Sequence, residues 1–264
     1  MLMAVKNQIK VSLLSVKYAL MREMLNKGTF LTNVIFMILN NACFIVQWII
    51  LYSLKDDVGG YTFKQVLLLW GIAAGTYGFS RFFFKNAFSL ADTINNGKLD
   101  AYLVQPKNVL LSAITTGVEA SAIGDLSYAY IMLFLYGFTV TGFLLYTLFI
   151  ILGGFMLAAV AVILGSLSFW FNKSDVVADV GNSLMTNFAT YPDGIFKGLA
   201  KILLFTIIPV GIINYLPINV LSSFDIGKLM IVLGTTIFLV SLAFIIFFKG
   251  LRKYSSTNLM IAKL

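Results

Sequence analysis

The chain has 264 residues, of which 59% are hydrophobic and only 11% are charged, and 19 Lys+Arg against 11 Asp+Glu give a formal net charge of +8. A soluble domain averages about 45–50% apolar and about 25% charged residues, so this chain has too few charges to cover a soluble fold. A soluble disordered chain is excluded because it requires low hydrophobicity. The composition therefore predicts an integral membrane protein.

The composition excludes several kinds of chemistry. The single cysteine, Cys43, excludes an internal disulfide and a multi-thiolate metal site. The chain has no His, which is the commonest metal ligand and the usual physiological-pH base. It also has no GxxxxGK[ST] phosphate-binding loop. We therefore expect no metal, no cofactor and no catalytic site in this chain, and any ATP must bind to another chain.

The first element, over residues 1–28, is predicted to be an amphipathic helix that lies in the membrane interface. At about 100° per residue, its apolar residues fall on one side of the helix and its lysines lie beside them, a pattern typical of interfacial helices. The apolar residues are Leu2, Val5, Ile9, Leu13, Val16 and Leu20, and the lysines are Lys6, Lys10 and Lys17. A solvated basic tail is the alternative.

Long stretches with almost no charge predict most of the membrane spans, because a spanning helix needs about 20 mainly apolar residues. The first, second and last spans are predicted at 28–54, 61–84 and 229–248. The uncharged stretch 126–172 is long enough for two crossings with a hairpin tip at 139–142. The third span is expected to enter near Leu110.

The segment 176–224 allows two interpretations. In one, 176–192 is a short fifth span and 194–214 dips into the outer leaflet, where Pro209 and Pro217 break the helix. In the other, 202–224 is the fifth span. Both interpretations give six spans, and the excess of Lys and Arg on the N-terminal side predicts that both termini are cytoplasmic.

Polar side chains recur along two of the predicted spans. Asn33, Asn40 and Gln47 are spaced by seven residues, so they share one face of the first span. On the fifth span the polar residues are spaced by four: Asn182, Thr186 and Thr190. Because polar groups are costly in lipid, both faces are expected to point inward, either toward a substrate pathway or toward hydrogen bonds between helices.

Two acids, Glu119 and Asp125, fall within the predicted third span. An ionisable group inside a membrane is a functional candidate, for example in ion coupling. The alternative is a structural role, in which Glu119 pairs with Lys85 or Lys107. Tryptophans such as Trp48 and Trp70 are expected at the lipid or its interface.

The longest polar segment between spans runs from Arg81 to Asn108. It contains an Asn-Asn-Gly break and ends in a proline, so it predicts a short surface helix with one face free to dock another protein. An ordinary connecting loop is the alternative.

Three segments resemble those of the bacterial ABC-2 type exporter permeases. They are NNGKLDAYLVQPKNVL (95–110), FWFNKSDVVADVGNSL (169–184) and YPDGIF followed by IIPVGIINYLP (191–217). The resemblance covers nearly the whole chain in order. The chain departs from it at Gln105, where this branch of the family often has Arg before the proline.

The resemblance implies an all-α integral membrane protein that forms a single permease domain over 1–264. It would have six transmembrane helices, the N-terminal interfacial helix, a cytoplasmic coupling helix within 85–108 and an external re-entrant helical hairpin within 193–225. This arrangement makes 176–192 the fifth span. It also places the first, second and fifth spans around a central cavity.

The resemblance further implies a non-catalytic permease in the bacterial cell membrane. With a second permease it would form the translocation path for an amphipathic or lipophilic substrate, such as a drug, an antibiotic, a peptide or a lipid. ATP and Mg²⁺ would bind to separate ATP-binding cassette subunits, and no nucleic-acid partner is expected. A channel or ion-coupled carrier that uses Glu119 and Asp125 without an ATPase is the alternative.

The same resemblance implies the contacts to the ATPase subunit. In the loop these are Asp92, Asn96, Gly97, Leu99, Asp100, Tyr102, Gln105 and Pro106. Gly97 is expected in a turn with positive φ, and Pro106 is expected to stop the helix. Lys173 and Asp175 are expected to form a second, smaller contact.

Overall fold

The computed structural model describes residues 2–171 and 174–255, and that part of the chain is almost entirely helical. Its α-helices are α1 (Leu2–Glu23), α2 (Lys27–Leu54), α3 (Phe63–Phe84), α4 (Leu90–Asn95), α5 (Asp100–Leu103), α6 (Val109–Ile114), α7 (Ser121–Tyr136), α8 (Val140–Ser166), α9 (Ser174–Ala189), α10 (Leu199–Thr206), α11 (Leu216–Ser222) and α12 (Ile226–Leu251). A π-turn at Gly211–Tyr215 leads directly into α11.

Local sequence fixes where the long helices begin. The side chain of Asn26 accepts a hydrogen bond from the Thr29 backbone at the start of α2. Thr62 and Gln65 form a reciprocal capping box at the start of α3. The Asp225 carboxylate accepts two backbone N–H groups at the start of α12. Each cap satisfies backbone N–H groups that a helix N-terminus leaves without an internal partner. The three helices therefore begin at defined residues.

The centre of the bundle is formed by α3 and α8. In these two helices 67% of the apolar window is buried inside the chain, against 17% in α2 and α12. Small residues allow the close packing: a Cβ at Gly78 would lie 2.8 Å from the Ala122 carbonyl oxygen of α7. The peripheral α2 and α12 leave apolar faces for lipid or for another chain.

The bundle has two ends. The end that carries residues 85–108, which we call the loop end, is where α3 and α8 finish, α7 and α9 begin and α12 finishes. At the opposite end, which we call the far end, the backbones of Gly59 and Gly194 approach so closely that a Cβ at Gly194 would overlap the Gly59 carbonyl oxygen.

The predicted number of spans is only partly supported. Within the described residues four helices are long and apolar enough to cross a membrane (α2, α3, α8 and α12), and a bent helix pair adds up to one more. The helices α7 and α9 have 16 residues each. At 1.5 Å per residue they are about 24 Å long, shorter than the roughly 30 Å hydrocarbon core. The count of six spans stays a prediction.

The third span begins later than expected. We expected it to enter near Leu110, but α6 ends at Ile114 and α7 starts only at Ser121. The side chain of Asn86 explains the break, since it donates hydrogen bonds to the Ala113 carbonyl and to the Thr116 hydroxyl. The first of these bonds satisfies a backbone carbonyl that a continuing helix would have used.

The segment after α9 does not form a straight helix over 202–224. The helix Leu199–Thr206 and the helical stretch Gly211–Ser222 are bent by 76° relative to each other, and Pro209 lies in the bend. Pro217 does not break the helix as expected, because the chain passes through it from the π-turn into α11. The bend is compatible with a broken span or a re-entrant loop, and the external hairpin stays a prediction.

The first helix packs along the loop end. Val16 and Ala19 are buried against Val118, and the Asn108 backbone N–H donates to the Gln8 side chain at 2.9 Å. The apolar side chains of Val5, Ile9 and Leu13 remain more than half exposed, as an interfacial helix requires.

Candidate functional site

A cavity of about 320 Å³ lies between α2, α3, α7, α9 and the Gly211 π-turn. We call it the central cavity. Its volume is within the range of small-molecule sites, about 300–1,000 Å³. A second cavity of about 420 Å³, which we call the adjoining cavity, lies at the loop end and shares Met37 and Asn40 with the first.

The structure brings most of the two predicted polar faces together. Asn40 and Gln47 of α2, Thr186 of α9 and Thr190, just after α9, all line the central cavity. Asn33 lines the adjoining cavity instead. The predicted seven-residue series on α2 thus runs along both cavities.

Asn182 is the exception among these polar residues. It is absent from the lining of the central cavity, and its buried Oδ1 has no hydrogen-bond partner among the residues that the structure describes.

Aromatic side chains form much of the cavity wall, which the sequence analysis missed. Trp48 and Trp70, expected at the lipid, are only 4% and 8% exposed and line the central cavity together with Phe44 and Tyr191. A signal was present: positions 40, 41, 44, 47 and 48 follow the i, i+1, i+4, i+7, i+8 spacing of one helix face. The polar series therefore marked an aromatic face as well.

Asp125 is buried in the wall of the central cavity. It lies in α7 and is 4% exposed. The side-chain amide of Asn41, 84 positions away in the chain, donates a hydrogen bond to its Oδ1 at 2.7 Å. The buried carboxylate is thus held by α2, the helix that packs against α7 at this point.

Glu119 lies outside α7, in the break that precedes it, and it does not pair with Lys85 or Lys107. Its carboxylate forms a 3.1 Å ion pair with Arg81 of α3, and Lys85 instead donates to the Val118 carbonyl. The Arg81 guanidinium also stacks over the rings of Tyr77 and Phe88, at 4.9 and 4.3 Å. These contacts support a structural role for Glu119.

The loop over 85–108 folds back on itself through polar contacts. The Asp92 carboxylate accepts hydrogen bonds from Asn96 and, at 2.7 Å, from Lys98. Between them Gly97 has a φ of 69°, which confirms the expected positive φ. The turn therefore positions three of the predicted contact residues close together.

Other predicted contact residues attach the loop to the bundle. Leu99 is fully buried, so its side chain anchors the loop and is not offered to a partner. The Tyr102 and Thr116 hydroxyls are 2.9 Å apart, and the Tyr254 hydroxyl donates to Asp100 at 2.9 Å. The loop is thereby tied to residues that follow α6 and α12.

The outer surface of the loop is exposed and partly apolar. Gln105 and Pro106 are exposed, as a docking surface requires. Val104, which the sequence analysis did not select, is 84% exposed, and Leu103 is 41% exposed. The side chains of Leu103 and Val104 are therefore exposed apolar groups on the surface of the loop.

The second predicted contact is partly described. Asp175 is exposed in the first turn of α9, at the loop end and on a helix that contacts α4. Lys173 lies outside the described residues.

A comparison with protein-family models matches residues 12–258 to the family described as "ABC-2 family transporter protein". Searches of curated proteins and of solved structures found no match. The matched range includes the loop and both cavities.

Proposed function

We propose a function that starts from this match: the chain belongs to the ABC-2 transporter family, and it is a multi-pass membrane protein and a permease component of an ABC exporter. The family match over 12–258 is the observation that carries the proposal. The chain would be the non-catalytic subunit, with ATP and Mg²⁺ bound by separate ATPase subunits. It would pair with a second permease in the bacterial cell membrane, with both termini cytoplasmic.

The loop over 85–108 is the proposed contact to the ATPase. Its exposed surface offers Val104 and Gln105, while Leu99 packs in a cluster with Phe169 and Phe247 at the ends of α8 and α12. A force on the loop would therefore move those helices as well. Nucleotide would drive transport if it favours one arrangement of the loop over another, because only a differential affinity shifts a conformational equilibrium.

The two cavities are the proposed substrate path. They share Asn40, and one polar face of α2 lines them in sequence from Asn33 to Gln47. Amide and hydroxyl groups beside aromatic walls suit an amphipathic or lipophilic substrate.

The alternative is an ATPase-independent channel or ion-coupled carrier. The position of Asp125 in the cavity wall favours it, since a buried acid on a transport path can bind a cation or a proton. The ion pair between Glu119 and Arg81 argues against a mobile role for the second acid.

Affinity purification in mild detergent, with every co-purifying chain identified, tests the proposal. We expect a stoichiometric ATP-binding subunit that is lost in Val104→Asp, because a charge in the apolar contact is costly. Val140→Asp is the matched control, since Val140 is 68% exposed at the far end. A wild-type chain that purifies without any ATPase would contradict the ATP-driven function and favour the carrier.

A further inference from the structure

The wall of the central cavity restricts the class of molecule that fits there. Asp125 is the single charged residue among the described residues that line it. We propose that the central cavity binds an organic cation with an elongated, partly aromatic body, the cationic group beside Asp125 and the body along the Trp48 and Trp70 wall. The inference that this ligand is transported rests on the proposed permease function, whereas the inference that it binds does not.

The carboxylate of Asp125 has acceptor positions left for a ligand. Asn41 donates one of the several hydrogen bonds that a carboxylate can accept. The basic group that acts on Asp125, Arg81, is held by Glu119 at 3.1 Å, and the two have opposing electrostatic effects on Asp125. The pair is neutral as a unit, so Asp125 is the one described lining residue that can give the cavity a net charge, which is negative when the carboxylate is ionised. It favours cations and repels anions.

The aromatic wall adds a second preference for cations. Phe44 and Trp70 are stacked with ring centroids 5.1 Å apart, and Trp48 meets Tyr191 edge-on at 6.1 Å. The faces of such rings attract quaternary or protonated nitrogen, Trp most strongly. The same rings bury an apolar body, so a molecule with both features gains from both.

The cavity is elongated along α2. Lining residues extend from Met37 to Trp48, a rise of about 16 Å along the helix. Asp125 and Asn41 lie toward the loop end of this length, whereas Trp48 and Tyr191 lie toward the far end. The acid therefore lies toward one end of the cavity and the Trp48–Tyr191 pair toward the other, which fits a molecule with its charge at one end.

Several polar atoms of the residues that line the cavity are buried without a partner. Trp70 Nε1, Thr76 Oγ1 and Asn214 Oδ1 have no hydrogen-bond partner within the described part of the chain. Buried polar atoms in native proteins are normally hydrogen-bonded, so a ligand or water would complete them. Two of the three groups can donate, which allows a cation with a hydrogen-bond acceptor in its body.

The test uses the full chain in phosphatidylcholine nanodiscs and two soluble probes with the same kind of body and opposite charge. Trimethyl(4-phenylbutyl)ammonium is the cation and 5-phenylpentanoate is the anion. Two of the three tryptophans line the cavity, so binding is followed by tryptophan fluorescence, with empty nanodiscs subtracted. We expect saturable binding of the ammonium and no competition by the carboxylate.

Substitutions then locate the charge. Asp125→Asn should weaken ammonium binding at least about tenfold, because a charge in a low-dielectric wall is screened little. Asp56→Asn removes the same charge from an exposed far-end turn and should leave binding unchanged. Asp125→Glu should keep most of the affinity.

Three outcomes would overturn the proposal: no saturable ammonium binding, carboxylate binding of equal strength, or an Asp125→Asn chain that binds the ammonium like wild type. The last result, together with a lower melting temperature, would assign Asp125 to helix packing alone. The probe comparison needs no variant, so it stands even if Asp125→Asn fails to fold. If the ammonium binds in a way that depends on Asp125 but the chain purifies without an ATPase, the cation site is supported. The exporter function is then contradicted.

Discussion

The loop over 85–108 and the wall of the central cavity differ in how their polar groups are hydrogen-bonded. In the loop, Asp92 accepts two side-chain hydrogen bonds, and Tyr254 and Tyr102 tie the loop to the bundle. In the cavity wall, Trp70 and Asn214 keep buried polar atoms without a partner in the described chain. This difference agrees with the two proposed roles, since a loop that passes on a movement would need to be rigid, whereas a wall that binds a molecule would need groups without a partner.

The largest effect is expected at the packing contact between α3 and α7, two helices that support both the loop and the central cavity. A Cβ at Gly78 would lie 2.8–3.0 Å from Ala122, Asp125 and Leu126 of α7, two of these contacts being with backbone atoms that cannot rotate away. Gly78→Val should therefore lower the free energy of unfolding by about 3 kcal/mol or more. Thermal unfolding in detergent measures the loss.

Gly234→Val is the control for that change. Gly234 lies on the exposed face of α12, where an added Cβ meets no atom of the described chain within 4 Å. A loss as large as that of Gly78→Val would contradict the central position of the α3–α7 contact.

An intermediate effect is expected for the ion pair between the two regions. Arg81 and Glu119 have side chains that are 24% and 30% exposed. Arg81→Met should cost about 1–3 kcal/mol, between the values for surface and fully buried pairs, because it leaves Glu119 without its cation. A double-mutant cycle with Glu119→Gln measures the coupling.

The exposed pair of Lys228 and Asp225, 3.8 Å apart, provides the comparison for that cycle. Lys228→Met should change stability by no more than about 0.5 kcal/mol. Coupling energies of the same size in both pairs would mean that Arg81 does not hold the loop end together.

The smallest effect is expected at the attachment of the loop to the end of α12. Tyr254→Phe removes the hydrogen bond to Asp100 and should cost about 0.5–1.5 kcal/mol at neutral pH. Burial, with Asp100, raises the pKa of Tyr254 above the ordinary tyrosine value. The folded state thus holds this proton more tightly than the unfolded state, so the contribution is complete below about pH 10 and is lost as the pH rises above it.

The free energy of unfolding, measured from pH 8 to pH 11, tests the predicted direction of this pH dependence. The difference between wild type and Tyr254→Phe should shrink as the pH rises above about 10. A difference that grows with pH would show that the phenol is not held as the hydrogen bond indicates.

The sequence alone determined the class of protein and the direction of its polar faces. Low charge required a membrane, and the seven-residue spacing put Asn33, Asn40 and Gln47 on one face of α2, which in the structure lines two cavities. The positive φ of Gly97 also followed from its local turn. These features depend on composition or on neighbours along the chain, and a sequence displays both directly.

Only the tertiary structure decided which face meets which. Trp48 and Trp70, expected at the lipid or its interface, line the cavity, Asn41 is hydrogen-bonded to Asp125, and Glu119 pairs with Arg81. Lipid tails are as apolar as leucine, so hydrophobicity does not separate a buried helix face from one in contact with lipid. Periodicity shows which residues share a face, but the helix opposite that face is set by packing between segments distant in the chain.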